Sequence, residues 1–418
     1  ENEENTNDVN NSSLINIQNN YNNIVETYYN TKNIPKIIHF IYFGYTDFKF
    51  VHYFAIKTAY DNNPSYKINL YNYKLPKNNI WFDLTLQYVN IVHTEPPESI
   101  YGNKLNTYAH RADIVRLEKL IEYGGFYLDI DVWTLKSFDS LLNIDESCIM
   151  GYQAEQSQFK GLCNAVLGAK PQSSFLKIWL ENYKSFKSDE WDKHSVYLPL
   201  ELAKEHPSLV HIKSQEIFFP VSWFDFNDLF KKNKKVNLDN SYTIHLWESH
   251  TMDLLLNKLN PLYFNLYNTS LVNYFKNNIL DHNKSKILLI LEDNNNLNNI
   301  KQLLYILLAY GYDISLQYLC ELNTSVSINN YILNIKDDYD LLINKLYEKK
   351  NNENKTYDYV LTNFNTDLLN NIINNSIPKL NINSINIPYT LLKSQIQHIV
   401  SGNFFYSRKK FVSGASSK

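Results

Sequence analysis

The sequence predicts an α/β protein in two parts, a larger domain on a mostly parallel sheet and a smaller one that restarts the same β-α-β rhythm. Three observations predict it. Apolar runs of strand length alternate with stretches whose apolar residues recur at three- and four-residue steps, the pattern of a sheet covered by helices. A Gly124-Gly125 pair joins the clearest helix to the clearest strand, and after Lys284-Ser285 the alternation begins again. At 418 residues, 44% hydrophobic and 15% aromatic, the chain has room for two buried cores.

Composition also excludes function classes. A net charge of -3 gives no electrostatic case for nucleic acid or for an anionic membrane surface. No run reaches the roughly 18 apolar residues of a membrane span, and no apolar segment with a cleavage site follows the start, so a soluble, cytoplasmic protein is expected. Cys148, Cys163 and Cys320 are few, odd in number and not in metal-ligand spacing, which suits a reducing compartment.

In chain order, residues 1–30 are an Asn-rich segment and residues 31–282 the expected first domain. Its first strand runs from Ile34 to Gly44, where continuous β-branched and aromatic residues imply burial on both faces. A helix is expected over Phe50 to Tyr60, a strand over Tyr66 to Tyr71 and a weaker strand over Asn90 to His93. From Asn103 the chain reads as a helix, with Leu105, Tyr108, Ala112 and Val115 in helical register, stopped by the glycine pair. The strand FYLDIDV follows at once. Strict alternation would put Tyr127, Asp129 and Asp131 on one face and Phe126, Leu128, Ile130 and Val132 on the other.

Two carboxylates side by side at the end of an apolar strand repel each other unless a cation offsets both. Mg²⁺ and Mn²⁺ suit such a place, since they take one or two carboxylates and leave the other positions to water and phosphate. Asp113 and Arg116 lie three residues apart on one helix face; standing alone, that pair would be a surface ion pair.

The run AHRADIVRLEKLIEYGGFYLDIDVWTL resembles the signature of the DXD-containing sugar transferases of glycosyltransferase family 32, and more distantly that of the large clostridial glucosylating toxins. An Ala-Asp-x-x-Arg helix, a Gly-Gly turn and a Tyr-Leu-Asp-x-Asp strand stand in the family's order and spacing. The resemblance implies a GT-A-type Rossmann-like nucleotide-sugar domain that retains anomeric configuration. It implies that Asp129 and Asp131 place Mn²⁺ or Mg²⁺, Asp129 lying also near the ribose with Tyr127 in the nucleotide pocket, and that Asp113 and Arg116 hold the donor sugar. The Ile-Pro-Lys-Ile-Ile-His opening resembles the family's first strand and makes His39, Ile41 and Tyr42 candidates for the nucleotide pocket, with His39 equally readable as a core histidine.

Further along, Cys148 to Tyr152 reads as a short strand, and Gly161 to Ala169 as another, followed by Pro171 and an amphipathic helix through Trp179 and Tyr183. By the resemblance Asn164 hydrogen-bonds the donor sugar; otherwise it is a turn or strand-edge asparagine. Phe218 to Phe224 is a pocket wall or simply core. In Ser241 to Trp247 the resemblance makes His245 the third metal ligand or a diphosphate contact, and Trp247 a group beside the leaving phosphate. Residues from about Met252 to Asp281 read as helical.

The second domain, 285–400, is expected to be Rossmann-like, with strands at Lys286 to Leu291, Asp313 to Tyr318 and Tyr357 to Thr362 and a helix over Leu297 to Tyr310 ended by Gly311. No Gly-rich phosphate loop follows its first strand, so it is expected to be accessory or truncated. Residues 401–418 are a tail. Three functions compete: a transferase moving a hexose or N-acetylhexosamine from a nucleotide-sugar, UDP favoured over GDP-mannose, to a glycan or other hydroxyl acceptor; a toxin-like protein glycosyltransferase; and a non-catalytic carbohydrate- or nucleotide-binding scaffold. The first is preferred, because every polar position of the motif is present.

Overall fold

The computed structural model describes residues 32–44, 47–77, 79–155, 158–190, 192–232 and 234–279, and beyond them the four strands 286–291, 313–318, 359–362 and 379–381. Residues through Asn257 and residues from Lys258 onward form separate units.

The first unit is organised on strand β1 (Ile37–Tyr42), all of whose residues are buried. It lies between two parallel neighbours, β2 (Lys67–Asn72) and β6 (Gly125–Leu128), which explains its unbroken apolar run. Helix α1 (Phe50–Asn62) connects β1 to β2, and helix α2 (Ile80–Thr85), capped by the Asn79 side chain accepting from the Phe82 N–H, leads to β3 (Asn90–His93). A short hairpin, β4 (Ser99–Ile100) with β5 (Asn103–Lys104), takes the residues where the helical pattern was expected to begin. Helix α3 (Tyr108–Tyr123) starts one turn later, at Thr107, whose hydroxyl oxygen accepts the His110 N–H. It ends at Gly124.

Gly124 and Gly125 have φ of +62° and +101°, and a Cβ on Gly125 would lie 2.5 Å from the Ile37 carbonyl oxygen. Glycine is needed there both for the left-handed backbone and for the close approach of β6 to β1. The rest of the sheet comprises β8 (Cys148–Glu155), β9 (Gln158–Ala169) and β10 (Val210–Lys213), in the order β10-β8-β9-β6-β1-β2-β3. All pairs are parallel except those of β9, which runs antiparallel to both β6 and β8. Helix α4 (Ser174–Glu181) buries Phe175, Leu176 and Trp179, and a tighter 3₁₀ turn, Asn182–Ser185, replaces its expected continuation through Tyr183. Helices α5 (Leu198–Glu205) and α6 (Gln215–Phe218) follow. The mostly parallel α/β sheet is the expected fold class.

The strand FYLDIDV is not continuous. β6 stops at Leu128, the Val132 N–H turns back to the Asp129 carbonyl at 2.9 Å, and β7 (Val132–Thr134) leaves to pair antiparallel with β11 (Thr243–His245) in a separate sheet. Electrostatics gives the reason: on one strand face two carboxylates would share one environment, whereas a turn gives each its own partners. β7 is fixed by α1, since the Trp133 indole donates to the Val51 carbonyl at 3.0 Å and the Thr134 N–H to the Thr58 hydroxyl at 3.0 Å. Helix α7 (Glu248–Thr251) closes this region.

In the second unit, helices α8 (Pro261–Leu266) and α9 (Ser270–Ile279) fall within the stretch expected to be helical. Four parallel strands, β12 (Lys286–Leu291), β13 (Asp313–Tyr318), β14 (Tyr359–Thr362) and β15 (Lys379–Asn381), pair in the order β13-β12-β14-β15. The expected helix over 297–310, Cys320 and the segments 1–30 and 401–418 lie outside the described residues. Among the described residues no helix is long and apolar enough to cross a membrane.

Candidate active site

The site lies where β6 gives way to the Asp129–Val132 turn, beyond the carboxyl ends of β1 and β6, as ligand sites in open α/β sheets do. Two polar clusters meet there.

Arg116 centres the first. Its guanidinium reaches Asp113 Oδ1 and Asp129 Oδ1, each at 3.1 Å, and donates to the Asn164 backbone carbonyl at 2.8 Å. Its plane lies 4.5 Å from the centre of the Tyr127 ring, a cation–π contact. Lysine could not serve all these acceptors, for it lacks the planar fork. The Asn164 side chain donates to Asp113 Oδ1 at 2.7 Å, and the Tyr127 hydroxyl to Asp129 Oδ1 at 2.6 Å. Asp113 and Arg116 are therefore no surface ion pair; both are buried. Burial pushes the Asp113 carboxyl up to about 6 despite the opposing pull of Arg116 and Asn164. Burial opposes the Arg116 charge too, but Asp129, then Tyr127 and Asp113, hold it well above its ordinary value.

Asp131 anchors the second cluster. Its Oδ2 accepts the Glu248 backbone N–H at 2.7 Å and lies 3.3 Å from His245 Nε2. Burial works against the Asp131 charge, yet His245, by charge and hydrogen bond, and the Glu248 N–H hold its pKa below the usual carboxylate value. Burial likewise works against a charged His245, and Asp131 overcomes it, raising the imidazole to about 10, with the nearby Cys163 thiol adding to the shift. Trp247 packs against His245 with ring centroids 4.1 Å apart and donates its indole N–H to the Val221 carbonyl at 2.9 Å. Its φ of +56° is left-handed, a costly conformation for a bulky residue. That bend turns the chain from β11 into α7 and aims the Glu248 N–H at Asp131.

Between the clusters, ligand atoms of Asp129, Asp131 and His245 lie within 4.8 Å of one another. His245 Nδ1 is buried and has no hydrogen-bond partner among the described residues. Two carboxylates and an imidazole of this spacing fit a divalent cation, which on binding would displace the proton that Asp131 holds on His245.

The structure thus gathers Asp113, Arg116, Tyr127, Asp129, Asp131, Asn164, His245 and Trp247 into one region. His39 stands apart from it. Its Nε2 meets the Gly124 carbonyl at 2.8 Å, its Nδ1 meets the Tyr71 hydroxyl at 3.0 Å, and burial lowers its pKa to about 4, so it is a neutral, fully satisfied core side chain. Ile41 is core as well. Tyr42, buried at the end of β1, packs edge-on against Phe48 and beside His52. Two residues that pattern reading passed over also matter. His52 Nε2 lies 3.0 Å from Glu248 Oε2, and the Lys49 N–H donates to His52 Nδ1, so α1 grips the segment whose N–H holds Asp131. The one signal in the sequence was an acidic residue directly after Trp247.

Fold and site together suit an α/β glycosyltransferase. Residues 51–148 match the family described as "Glycosyltransferase sugar-binding region containing DXD motif", and residues 168–276 match "Alpha 1,4-glycosyltransferase conserved region". By these matches the chain is similar to the DXD-containing glycosyltransferases, of the family 32 kind. It is 34% identical over 247 residues to glucan organizing enzyme 1 of Cryptococcus neoformans, covering 54% of this chain and 66% of that protein. It is 28% identical over 169 residues to an uncharacterized Arabidopsis thaliana protein, covering 35% of this chain and 25% of that one. The chain thus spans just under two thirds of the first relative and a quarter of the second. Among solved structures it is similar to the PaToxG glycosyltransferase, at 20% identity and a TM-score of 0.34, over 47% of this chain and 78% of that one.

Proposed function

We propose that this protein is a metal-dependent, retaining glycosyltransferase that moves a hexose or N-acetylhexosamine from a nucleotide-sugar, UDP before GDP, to a glycan hydroxyl, with residues 31–282 as its catalytic domain. The observation that carries the reading is the convergence of Asp129, Asp131 and His245 ligand atoms within 4.8 Å, reached from two points more than a hundred residues apart in the chain. Carboxylates suit Mg²⁺ and Mn²⁺ alike, but an imidazole in the set favours the transition metal, so Mn²⁺ is the cation proposed. When bound, it would neutralise charge developing on the departing diphosphate.

The chain's own residues do the rest. Asp113, fixed by Arg116 and Asn164, presents a carboxylate for the donor sugar's hydroxyls, and Arg116 keeps that carboxylate and Asp129 in one geometry. Asp113 is held by two partners, which suits positioning rather than attack on the anomeric carbon; retention, which the family resemblance implies, would then proceed by front-face attack in which the leaving phosphate takes the acceptor's proton. The Glu248 N–H sets Asp131, and Trp247 packs on its partner His245. A glycan acceptor accords with the name of the fungal relative.

Thermal unfolding against UDP- and GDP-sugars, each with and without Mn²⁺, tests the proposal. A ligand that binds only the native state raises the melting temperature by mass action. A rise that requires both a UDP-sugar and Mn²⁺ is expected. A chain indifferent to every combination would refute the proposal, and the anomeric form of the product, read by NMR, tests retention.

A further inference from the structure

We propose that Trp223, Phe224 and His250 form the acceptor subsite and that it takes a pyranose ring of a glycan; this rests on the glycosyltransferase reading above. The Trp223 and His250 rings stack with centroids 4.6 Å apart and planes within 14°, and Phe224 stacks on Trp223 as well. Phe224 is 37% exposed and is the one exposed phenylalanine among the described residues. His250 is exposed too, and Trp223 half-buried. A core element would not present its rings this way.

The stack is also tied to the metal cluster. Val221, two residues before Trp223, accepts the Trp247 indole N–H, and the Trp247 ring lies against His245. His250 stands on α7, whose first residue gives its N–H to Asp131. The turn carrying Trp223 and Phe224 is fixed from within, since the Ser222 hydroxyl donates to Asp225 Oδ2 at 2.8 Å and the Asp225 N–H to the Ser222 carbonyl at 3.1 Å.

A pyranose has a face of weakly positive C–H groups and an edge of hydroxyls. Trp223 is covered by Phe224 and His250, and the outer faces of those two exposed rings offer the first a π face, while the exposed Asp225 carboxylate, on the same turn, offers the second an acceptor. A planar stack beside a carboxylate, next to the cluster proposed for the donor diphosphate, is where a transferase needs its acceptor ring.

Saturation-transfer NMR on the full chain with methyl glucoside, methyl galactoside and methyl mannoside tests this, with the thermal shift by UDP and Mn²⁺ measured beside it. At least one pyranoside should receive saturation at its ring C–H protons. Trp223→Ala and His250→Ala should each cut that signal at least fivefold while keeping the UDP–Mn²⁺ shift, which also shows that the variants are folded. No signal in the wild type, or an undiminished one in both variants, with the nucleotide shift intact, overturns the subsite and leaves the donor reading standing. Loss of the nucleotide shift in the wild type itself would bring down the donor reading, and the subsite with it.

Discussion

Asp113→Asn should make the protein more stable at neutral pH and less active. The Asp113 carboxyl titrates at about 6 in the folded chain against an ordinary 3.8, because burial outweighs Arg116 and Asn164. Two units at 1.36 kcal/mol each amount to about 3 kcal/mol, an upper bound. The sign follows from proton counts. Below pH 4 both states hold the proton; between 4 and 6 the folded state keeps it while the unfolded state releases it, so stability falls as pH rises; above 6 the full penalty stands. Asparagine is neutral and isosteric, and its carbonyl oxygen still accepts from Asn164. Arg116 loses one charged partner but keeps Asp129, the largest contributor to holding its charge. The variant should therefore gain up to about 3 kcal/mol at pH 7 and nothing at pH 4. For a unit of this size that is a rise of roughly 6–12 °C in melting temperature. Donor turnover should drop roughly 10- to 150-fold, the worth of one charge-assisted hydrogen bond of about 1.5–3 kcal/mol. Urea midpoints of both proteins from pH 4 to 8 give the comparison. A variant no more stable than wild type at pH 7, or a difference that is the same at pH 4 and pH 7, would refute the reasoning.

His39→Gln tests the opposite slope. His39 is held neutral, with its pKa lowered to about 4, so its contribution is complete above about 6.5 and lost as pH falls toward 4, at most about 3 kcal/mol. The variant should lose this acid sensitivity in the same urea series, and an unchanged slope would mean that burial does not lower the pKa of this imidazole. Asp131→Asn should fold but lose the Mn²⁺-dependent thermal shift, worth about 2.7 kcal/mol in the wild type at a hundredfold excess over Kd; a wild-type shift in the variant would remove Asp131 from the metal site. A chain cut after residue 282 should remain folded and hydrolyse the donor, whereas a cut after 257, which keeps the first unit but removes the end of the second matched region, should fold and lose hydrolysis. Gel filtration and donor hydrolysis of the two fragments decide, and equal activity from the shorter one would move the boundary inward.

The elements of the first sheet were legible because each follows from local pattern: unbroken β-branched residues in β1, a glycine pair after α3, alternation in β6. What failed was continuity. Alternation carried FYLDIDV straight through Asp129 and Asp131, since nothing in seven residues reveals that β7 will leave for β11, more than a hundred positions away in the chain. The same limit governs the site. Asp113, Arg116, Asp129, Asp131 and His245 were readable as chemistry-bearing types in a known order, but Asp113 is held in its buried place with a hydrogen bond from Asn164, and Asp131 stays ionised through His245 and, after it, a backbone N–H of Glu248. Neither is encoded by side-chain type at its own position. His39 shows the converse. The family resemblance suggested a nucleotide contact beside an equal reading as a core histidine, and only the Tyr71 hydroxyl and the carbonyl of Gly124 make it a closed hydrogen-bonding unit. Partners supplied by distant backbone thus decide which polar residues here remain available for chemistry, and residue pattern cannot see them.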